Sequence, residues 1–171
     1  MAVEPRGKVF LEPQKRKTMD TTLIELAKNI RVFFCDSDGV MFHNRVLMGA
    51  PYKAKYRSYY DGQGVSLLRA VGIRVVFITN EKGENATAIR DTVEKLNSLP
   101  SSKPQKANGW ELVVLYEGRG GVKKLETAKA FLAENSLTLE SSAYMGDDLV
   151  DVPLLRAVAL PCAPIQAEAV I

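Results

Sequence analysis

Five aspartates follow closely after two apolar runs of this 171-residue sequence: Asp36, Asp38, Asp147, Asp148 and Asp151. Thr79 ends another apolar run, and Lys123 and Lys124 open an amphipathic segment. Carboxylates crowded into one site repel one another unless a cation lies between them. Because such a site offers oxygen ligands and no histidine, it suits a hard ion, and we expect Mg²⁺.

These residue types also suit a phosphate ester. A threonine hydroxyl, a lysine ammonium and backbone N–H groups bind phosphate oxygens, and a carboxylate can attack phosphorus to form an aspartyl-phosphate. Positive charge from the lysine and the metal ion offsets the charge of the phosphoryl group during transfer. The chemistry that these residues favour is therefore phosphoryl transfer through a covalent intermediate.

The composition excludes several other classes of function. Two cysteines and one histidine are too few for a zinc cluster or a disulfide framework. Residues 1–18 carry the net charge of +3, and the remaining chain has 18 basic and 18 acidic residues, so we expect no nucleic-acid-binding surface. No apolar run reaches the roughly 20 residues of a membrane span. We therefore expect a cytoplasmic protein that binds neither nucleic acid nor membranes.

Short apolar runs alternate with amphipathic segments from residue 20 onward. The apolar runs predict strands at residues 32–35, 73–78, 112–116, 143–145 and 158–160. The amphipathic segments predict helices at residues 22–29, 64–71, 85–98, 122–134 and 150–156. Strands that are apolar throughout and alternate with helices form parallel sheets covered on both faces. The sequence therefore predicts an α/β fold with a doubly wound parallel sheet.

Two segments lie outside this alternation. Apolar and aromatic residues within 40–60 predict a β-hairpin inserted after the first strand. Residues 1–19 have mixed charges, and we expect a disordered leader or tag there, with residues 20–171 forming a single domain. Ligands of open parallel sheets bind at the carboxyl ends of the strands. Because Asp36, Thr79 and Asp147 all follow predicted strands, we expect one site at that edge.

Four motifs resemble those of the haloacid dehalogenase superfamily of phosphatases. They are D-x-D-G-V at residues 36–40, the strand-terminal Thr79, Lys124, and G-D-D-x-x-D at residues 146–151. Residues 36–49, 61–65 and 143–153 are similar to one family within it, the 3-deoxy-D-manno-octulosonate 8-phosphate phosphatases. The resemblance implies a Rossmann-like core. No cap domain is expected, because the intervals between the motifs are too short to fold one.

The resemblance also implies catalytic roles. Asp36 is similar to the nucleophile of the superfamily. Asp38 is similar to the general acid, which protonates the leaving group and later takes a proton from water. Lys124, rather than Lys123, resembles the charge-neutralising lysine because of its interval to the G-D-D motif.

The same resemblance implies residues that bind the metal ion and the phosphate. Mg²⁺ is expected at Asp36, the main-chain oxygen of Asp38, and Asp147. Thr79 and the N–H group of Asn80 are expected to hold phosphate oxygens.

Three further residues have roles that the sequence leaves open. Asp148 is expected to support either the water ligands of the metal or the lysine. Asp151 is expected to orient the loop. His43 is either a hairpin side chain or a substrate contact.

The implied function is Mg²⁺-dependent hydrolysis of a phosphorylated sugar acid, 3-deoxy-D-manno-octulosonate 8-phosphate or a similar compound. The alternative is a non-catalytic assembly module of the same fold, like that of some sialic-acid cytidylyltransferases, which typically lacks the acidic pair. The chain departs from the family pattern at residues 42–44 and at Asn80-Glu81, where the family has Gly-Arg. The resemblance further implies a homotetramer in which hairpins pack together and each site is completed by an adjacent subunit.

Overall fold

The structure is a computed structural model that describes residues 20–47, 49 and 53–171. The expected leader at residues 1–19 and four positions of the expected hairpin lie outside the described residues. The strands are β1 (Val32–Cys35), β2 (Val46–Leu47), β3 (Ala54–Lys55), β4 (Arg74–Ile78), β5 (Val114–Tyr116), β6 (Ser142–Met145) and β7 (Leu160–Cys162). The α-helices are α1 (Thr21–Asn29), α2 (Tyr59–Ala70), α3 (Thr87–Asn97), α4 (Val122–Glu134) and α5 (Val152–Leu155).

Five strands form one parallel sheet in the order β5-β4-β1-β6-β7. In the central strand β1, Phe34 stands opposite Val76 of β4 and Tyr144 of β6. From β1 the chain adds β4 and β5 on one side and then β6 and β7 on the other. The strand order therefore reverses between β1 and β6, which is the position where open parallel sheets bind ligands.

Helices cover the sheet on both faces, as the alternation along β4 shows. Val76 and Ile78 pack into one buried cluster with residues of α4 and α5, whereas Val75 and Phe77 pack into a second cluster with residues of α2 and α3. Each large side chain buried in this way contributes roughly 1.5–3 kcal/mol. The predicted α/β class and doubly wound parallel sheet are confirmed.

Most element boundaries fall near the predicted ones, and helix α2 shows the largest difference. It begins at Tyr59, five residues before the predicted start. The Ser58 hydroxyl accepts a hydrogen bond from Tyr60 N, and Asp61 adds negative charge to the first turn. Both features stabilise a helix N-terminus. The glycine-containing segment between Tyr59 and the predicted start lacks apolar periodicity, so the sequence pattern does not indicate this start.

Two other ends of elements differ from the prediction. Helix α1 begins at Thr21, one residue before the predicted start, because Asp20 caps it: the Asp20 carboxylate accepts from Thr22 N at 2.9 Å. The last strand is Leu160–Cys162, two residues later than predicted, because Val158 packs into the core before the strand begins.

A short hairpin follows β1, as predicted. Strands β2 and β3 are antiparallel, with Val46 opposite Lys55 and Leu47 opposite Ala54. Between the first and third predicted motifs, the described residues add only this hairpin, α2, β4, a 3₁₀ turn, α3, a loop and β5. The described residues between these motifs contain no cap domain, as the sequence predicts.

Within the described residues, no helix combines the length and the apolar composition needed to cross a membrane.

Candidate active site

The loop after β1 places Asp36 at the carboxyl end of the central strand. Its backbone N–H donates to Met145 O at 3.0 Å, which continues the ladder between β1 and β6. The side chain is buried, and its Oδ1 accepts from Ser37 N at 2.8 Å. Its Oδ2 lies 3.0 Å from Lys124 Nζ. Asp36 is therefore a fixed, buried carboxylate at the switch point of the sheet.

Lys124 reaches this carboxylate from the first turn of α4. Its side chain is fully buried, and Nζ lies between Asp36 Oδ2 and Asp151 Oδ1, at 3.0 and 2.5 Å. Lys123, the neighbouring candidate, is exposed. The helix thus turns one of the two lysines into the site.

Asp151 joins the lysine to the loop after β6. Its carboxylate also accepts from the Tyr144 hydroxyl, from Asp147 N at 2.9 Å and from Asp148 N at 3.3 Å. These three donors and Lys124 Nζ converge on one fully buried side chain. The expectation that Asp151 orients the loop has a structural basis in these contacts.

Asp147 stands next to Asp36 across the switch point. Carboxylate oxygens of Asp36, Asp147 and Asp151 lie within 4.8 Å of one another. The Asp147 carboxylate packs against the backbone of Gly39, and the C-terminal segment contacts the same loop through Gln166 Nε2 and Gly39 O at 3.0 Å. The expected metal-binding residues Asp36 and Asp147 are therefore brought together.

Thr79 lies at the end of β4 on the other side of Asp36. Its Oγ1 is 2.8 Å from Ser37 Oγ and accepts from Glu81 N at 3.1 Å. Asn80 is exposed, and its side chain lies against Gly120 so closely that a β-carbon there would be 2.5 Å from Asn80 Oδ1. The expected phosphate-binding pair therefore lies at the same edge as the carboxylates.

Asp38 does not belong to the group of buried carboxylates formed by Asp36, Asp147 and Asp151. Its Oδ1 lies 2.6 Å from Nζ of Lys55, a hairpin residue. It lines a cavity of about 210 Å³ together with His43, Glu81 and Asp147. The cavity is bordered by the hairpin segment and by the loops that follow β1, β4 and β6.

Two of the residues with open roles have clear positions. Asp148 caps the 3₁₀ turn that follows it, with Oδ1 accepting from Val150 N at 2.9 Å, and the lysine is held by Asp151 instead. His43 is exposed on the hairpin, and its backbone N–H donates to Tyr56 O at 2.9 Å.

Burial changes the acidity of the clustered groups. Desolvation raises the pKa of Asp36 to about 7, although Lys124 opposes this shift. Desolvation, with Asp148 and Asp151, raises the pKa of Asp147 to about 6. Burial alone would lower the pKa of Lys124, but the carboxylates of Asp36 and Asp151 raise it. Three buried carboxylates facing one ammonium form an oxygen-only donor set with excess negative charge, which fits a hard divalent cation.

The sequence motifs did not identify Ser37, Tyr144, Lys55 and Glu81. Ser37 lies inside the first motif, where its hydroxyl contacts Thr79 Oγ1. The sequence predicts Tyr144 within an apolar strand, and that pattern does not indicate that its hydroxyl contacts Asp151. Lys55 comes from the hairpin, where Lys53 and Lys55, two residues apart, both lie beside Glu81. That spacing was the available signal.

Comparison with known proteins decides the family. The 3-deoxy-D-manno-octulosonate 8-phosphate phosphatase of Yersinia pestis is 32% identical over 147 residues, which cover 85% of this chain and 68% of that relative. The chain belongs to this phosphatase family. The expectation of an enzyme of the phosphatase class is thereby confirmed.

Solved structures agree with this membership. The Yersinia pestis phosphatase structure is 29% identical with a TM-score of 0.72, and the match covers 88% of this chain and 71% of that one. A hydrolase of haloacid dehalogenase subfamily III A from Legionella pneumophila is 30% identical with a TM-score of 0.69, covering 85% and 70%. No family model matches the chain.

Proposed function

We propose that this protein is a Mg²⁺-dependent phosphatase of a phosphorylated sugar acid, 3-deoxy-D-manno-octulosonate 8-phosphate or a close analogue. The observation that carries this proposal is the buried Asp36 carboxylate, held at the switch point between Ser37 N and Lys124 Nζ. A nucleophile needs this kind of fixed position and a neighbouring positive charge.

Asp36 performs the first chemical step. Its carboxylate attacks phosphorus, the bond from phosphorus to the sugar oxygen breaks, and an aspartyl-phosphate forms. Asp38, which borders the open cavity, gives its proton to the departing alkoxide. The products of this step are the free sugar hydroxyl, the phosphorylated enzyme and the Asp38 carboxylate.

Asp38 then acts as a general base. It takes a proton from water as the water oxygen attacks the phosphorus of the intermediate. The bond between phosphorus and Asp36 breaks, inorganic phosphate is released, and both aspartates return to their starting states. Lys124 remains paired with the Asp36 side chain and offsets the charge that the phosphoryl group carries.

Asp36, Asp147 and the main-chain oxygen of Asp38 would hold Mg²⁺. The donor set fits the ion because it contains only oxygen atoms, and because three buried carboxylates are clustered around one ammonium group. When bound, Mg²⁺ supplies positive charge that neutralises phosphate oxygens.

Thr79 and the Asn80 N–H group would hold the phosphate oxygens. Thr79 Oγ1 accepts from Glu81 N, which fixes the rotamer of the threonine. The buried hydroxyl is therefore held at the end of β4, beside the expected nucleophile.

The proposed enzyme is a cytoplasmic homotetramer in which hairpins complete adjacent sites. Exposed apolar side chains on and beside the hairpin support this assembly: Leu47, Tyr56, Tyr59 and Tyr60. Contact with neighbouring chains would remove this surface from water. It would also supply the walls that the described residues do not provide around the cavity.

A substrate screen tests the proposal. Phosphate release is measured with and without Mg²⁺ on p-nitrophenyl phosphate, 3-deoxy-D-manno-octulosonate 8-phosphate and sialic-acid 9-phosphates. We expect Mg²⁺-dependent release, fastest with a sugar-acid phosphate. The non-catalytic alternative predicts no release from any of them, and the presence of both Asp36 and Asp38 argues against it.

A further inference from the structure

A buried lysine of the hairpin contacts the expected general acid. Only 1% of the Lys55 side chain is exposed. Its Nζ lies 2.6 Å from Asp38 Oδ1 and 3.9 Å from Glu81 Oε1. The same ammonium lies 5.6 Å from the centroid of the buried Phe42 ring. A buried ammonium is stable only when it is paired. Asp38 is therefore the principal partner of a cation that has little access to water.

The Asp38 side chain is much less confined than its partner. It is 34% exposed, and among the described residues its other polar contact is Ser37 Oγ, 3.5 Å from Oδ2. A contact of that length is weak. The short bond from Lys55 to Oδ1 is thus the interaction that restricts the rotation of the carboxyl group and leaves Oδ2 available to a leaving group.

Lys55 shares Glu81, a residue of the loop after β4, with a second lysine. Lys53 lies two residues earlier, just before β3, and its Nζ is 2.6 Å from Glu81 Oε1. Because both ammonium groups lie beside Glu81, they face the same side of the hairpin. Two ammonium groups therefore meet the two carboxylates of Asp38 and Glu81. An arginine at position 81, the residue that the family pattern has there, would place a third cation beside them.

We propose that Lys55 is a positioning residue for the proton transfer of Asp38. This inference rests on the proposed phosphatase function, because it assigns Asp38 the role of proton donor. Lys55 binds Oδ1, and the carboxyl group then presents Oδ2 toward the leaving oxygen. The hairpin thereby contributes to catalysis through the orientation of Asp38, without touching the reacting atoms.

The leaving group of the substrate distinguishes this role from a purely structural one. p-Nitrophenolate leaves with little need for a proton, whereas the alkoxide of an alkyl or sugar phosphate needs one. In Lys55→Met, we expect kcat on the sugar phosphate to fall about tenfold or more, with a change of at most about threefold on p-nitrophenyl phosphate. Lys55→Arg keeps the charge, and the ratio of its kcat values on the two substrates should be close to that of the wild type.

Lys53→Met is the matched control, since it removes the ammonium group two residues earlier, which contacts Glu81 and not Asp38. It should leave the ratio between the two substrates close to that of the wild type. The double variant of Lys55→Met with Asp38→Asn should show the same ratio as Asp38→Asn alone. Thermal unfolding of each variant establishes that it is folded before its rates are compared.

Specific outcomes contradict the proposal. If Lys55→Met loses activity equally on both substrates, Lys55 has a structural role only. If Lys53→Met changes the ratio as much as Lys55→Met, the effect belongs to the hairpin and not to the contact with Asp38. A wild-type protein that hydrolyses neither substrate overturns the proposed function itself. Suppose that the wild type is active, and that Asp38→Asn lowers kcat more on the sugar phosphate than on p-nitrophenyl phosphate whereas Lys55→Met does not. This result overturns only the role of Lys55.

Discussion

The Asp147 carboxylate lies so close to Gly39 that a β-carbon at position 39 would stand 1.7 Å from Asp147 Oδ2. Gly39 also has a φ of +79°, which a side chain disfavours. The glycine of the first motif is therefore required for a geometric reason. Its backbone approaches the carboxylate that we expect to bind the metal.

Replacing Gly39 with alanine should displace Asp147. We expect Gly39→Ala to lower the affinity for Mg²⁺ by about 10- to 100-fold, as for other residues that position metal ligands. Activity titrated against Mg²⁺ concentration measures this change. Gly62→Ala is the control, because a β-carbon at that helical position meets no atom within 4 Å. Equal Mg²⁺ affinity in both variants would show that Gly39 does not position the ligand.

Asp151→Asn should destabilise the fold. The change places an amide where four donors now meet a carboxylate, and it removes one of the two negative charges beside the buried Lys124. Breaking a buried ion pair costs about 3–5 kcal/mol. Urea denaturation measures the loss, with Asp148→Asn as the control, because asparagine caps a helical turn about as well as aspartate. A loss below about 1 kcal/mol for Asp151→Asn would contradict its central position.

Much of this fold follows from apolar patterning alone, as helix α4 and strand β1 show. Both were predicted with the ends that the structure has, because their contacts with the core repeat at helical or strand spacing. The same patterning brought Asp36, Thr79 and Asp147 to one edge, since the end of each strand is visible in the sequence.

The contacts that tune the site could not be predicted in this way. The bond from Lys55 to Asp38 depends on how a short hairpin folds back over the sheet, which no periodicity encodes. The bond between Tyr144 and Asp151 joins a strand to a 3₁₀ turn, and the apolar character of the strand concealed the hydroxyl.

The stabilising effect of Mg²⁺ should increase with pH. The pKa of Asp36 is about 7 and that of Asp147 about 6, both above the roughly 3.9 of an unfolded chain. Between pH 4 and 7, the metal-free folded state therefore binds more protons than the unfolded state, and its free energy of unfolding falls as pH rises. Cation binding to the deprotonated carboxylates offsets this loss.

Thermal unfolding at several pH values tests this linkage. The melting temperature is measured in MgCl₂ and in EDTA from about pH 5 to 8, a range that spans both pKa values. We expect the difference between the two conditions to widen with pH. A difference that stays constant across the range would contradict proton release at the metal site.

The hairpin should control assembly. Leu47, which is 60% exposed on β2, would contact neighbouring chains in the proposed tetramer. We expect the wild type to have a mass of four 18.9 kDa chains in light scattering coupled to gel filtration. Leu47→Asp should shift the protein toward smaller species and lower its activity. An active wild-type monomer at assay concentration would contradict shared sites.

The most direct test of the covalent mechanism is phosphate release by Asp36→Asn, compared with wild type at saturating Mg²⁺. Hydrolysis of phosphate monoesters is among the slowest uncatalysed reactions, so loss of the attacking carboxylate should remove many orders of magnitude of rate. We expect no measurable turnover of the sugar-acid phosphate by the variant, with circular dichroism unchanged from wild type. A folded Asp36→Asn protein that keeps about a tenth of wild-type activity would contradict the aspartyl-phosphate intermediate.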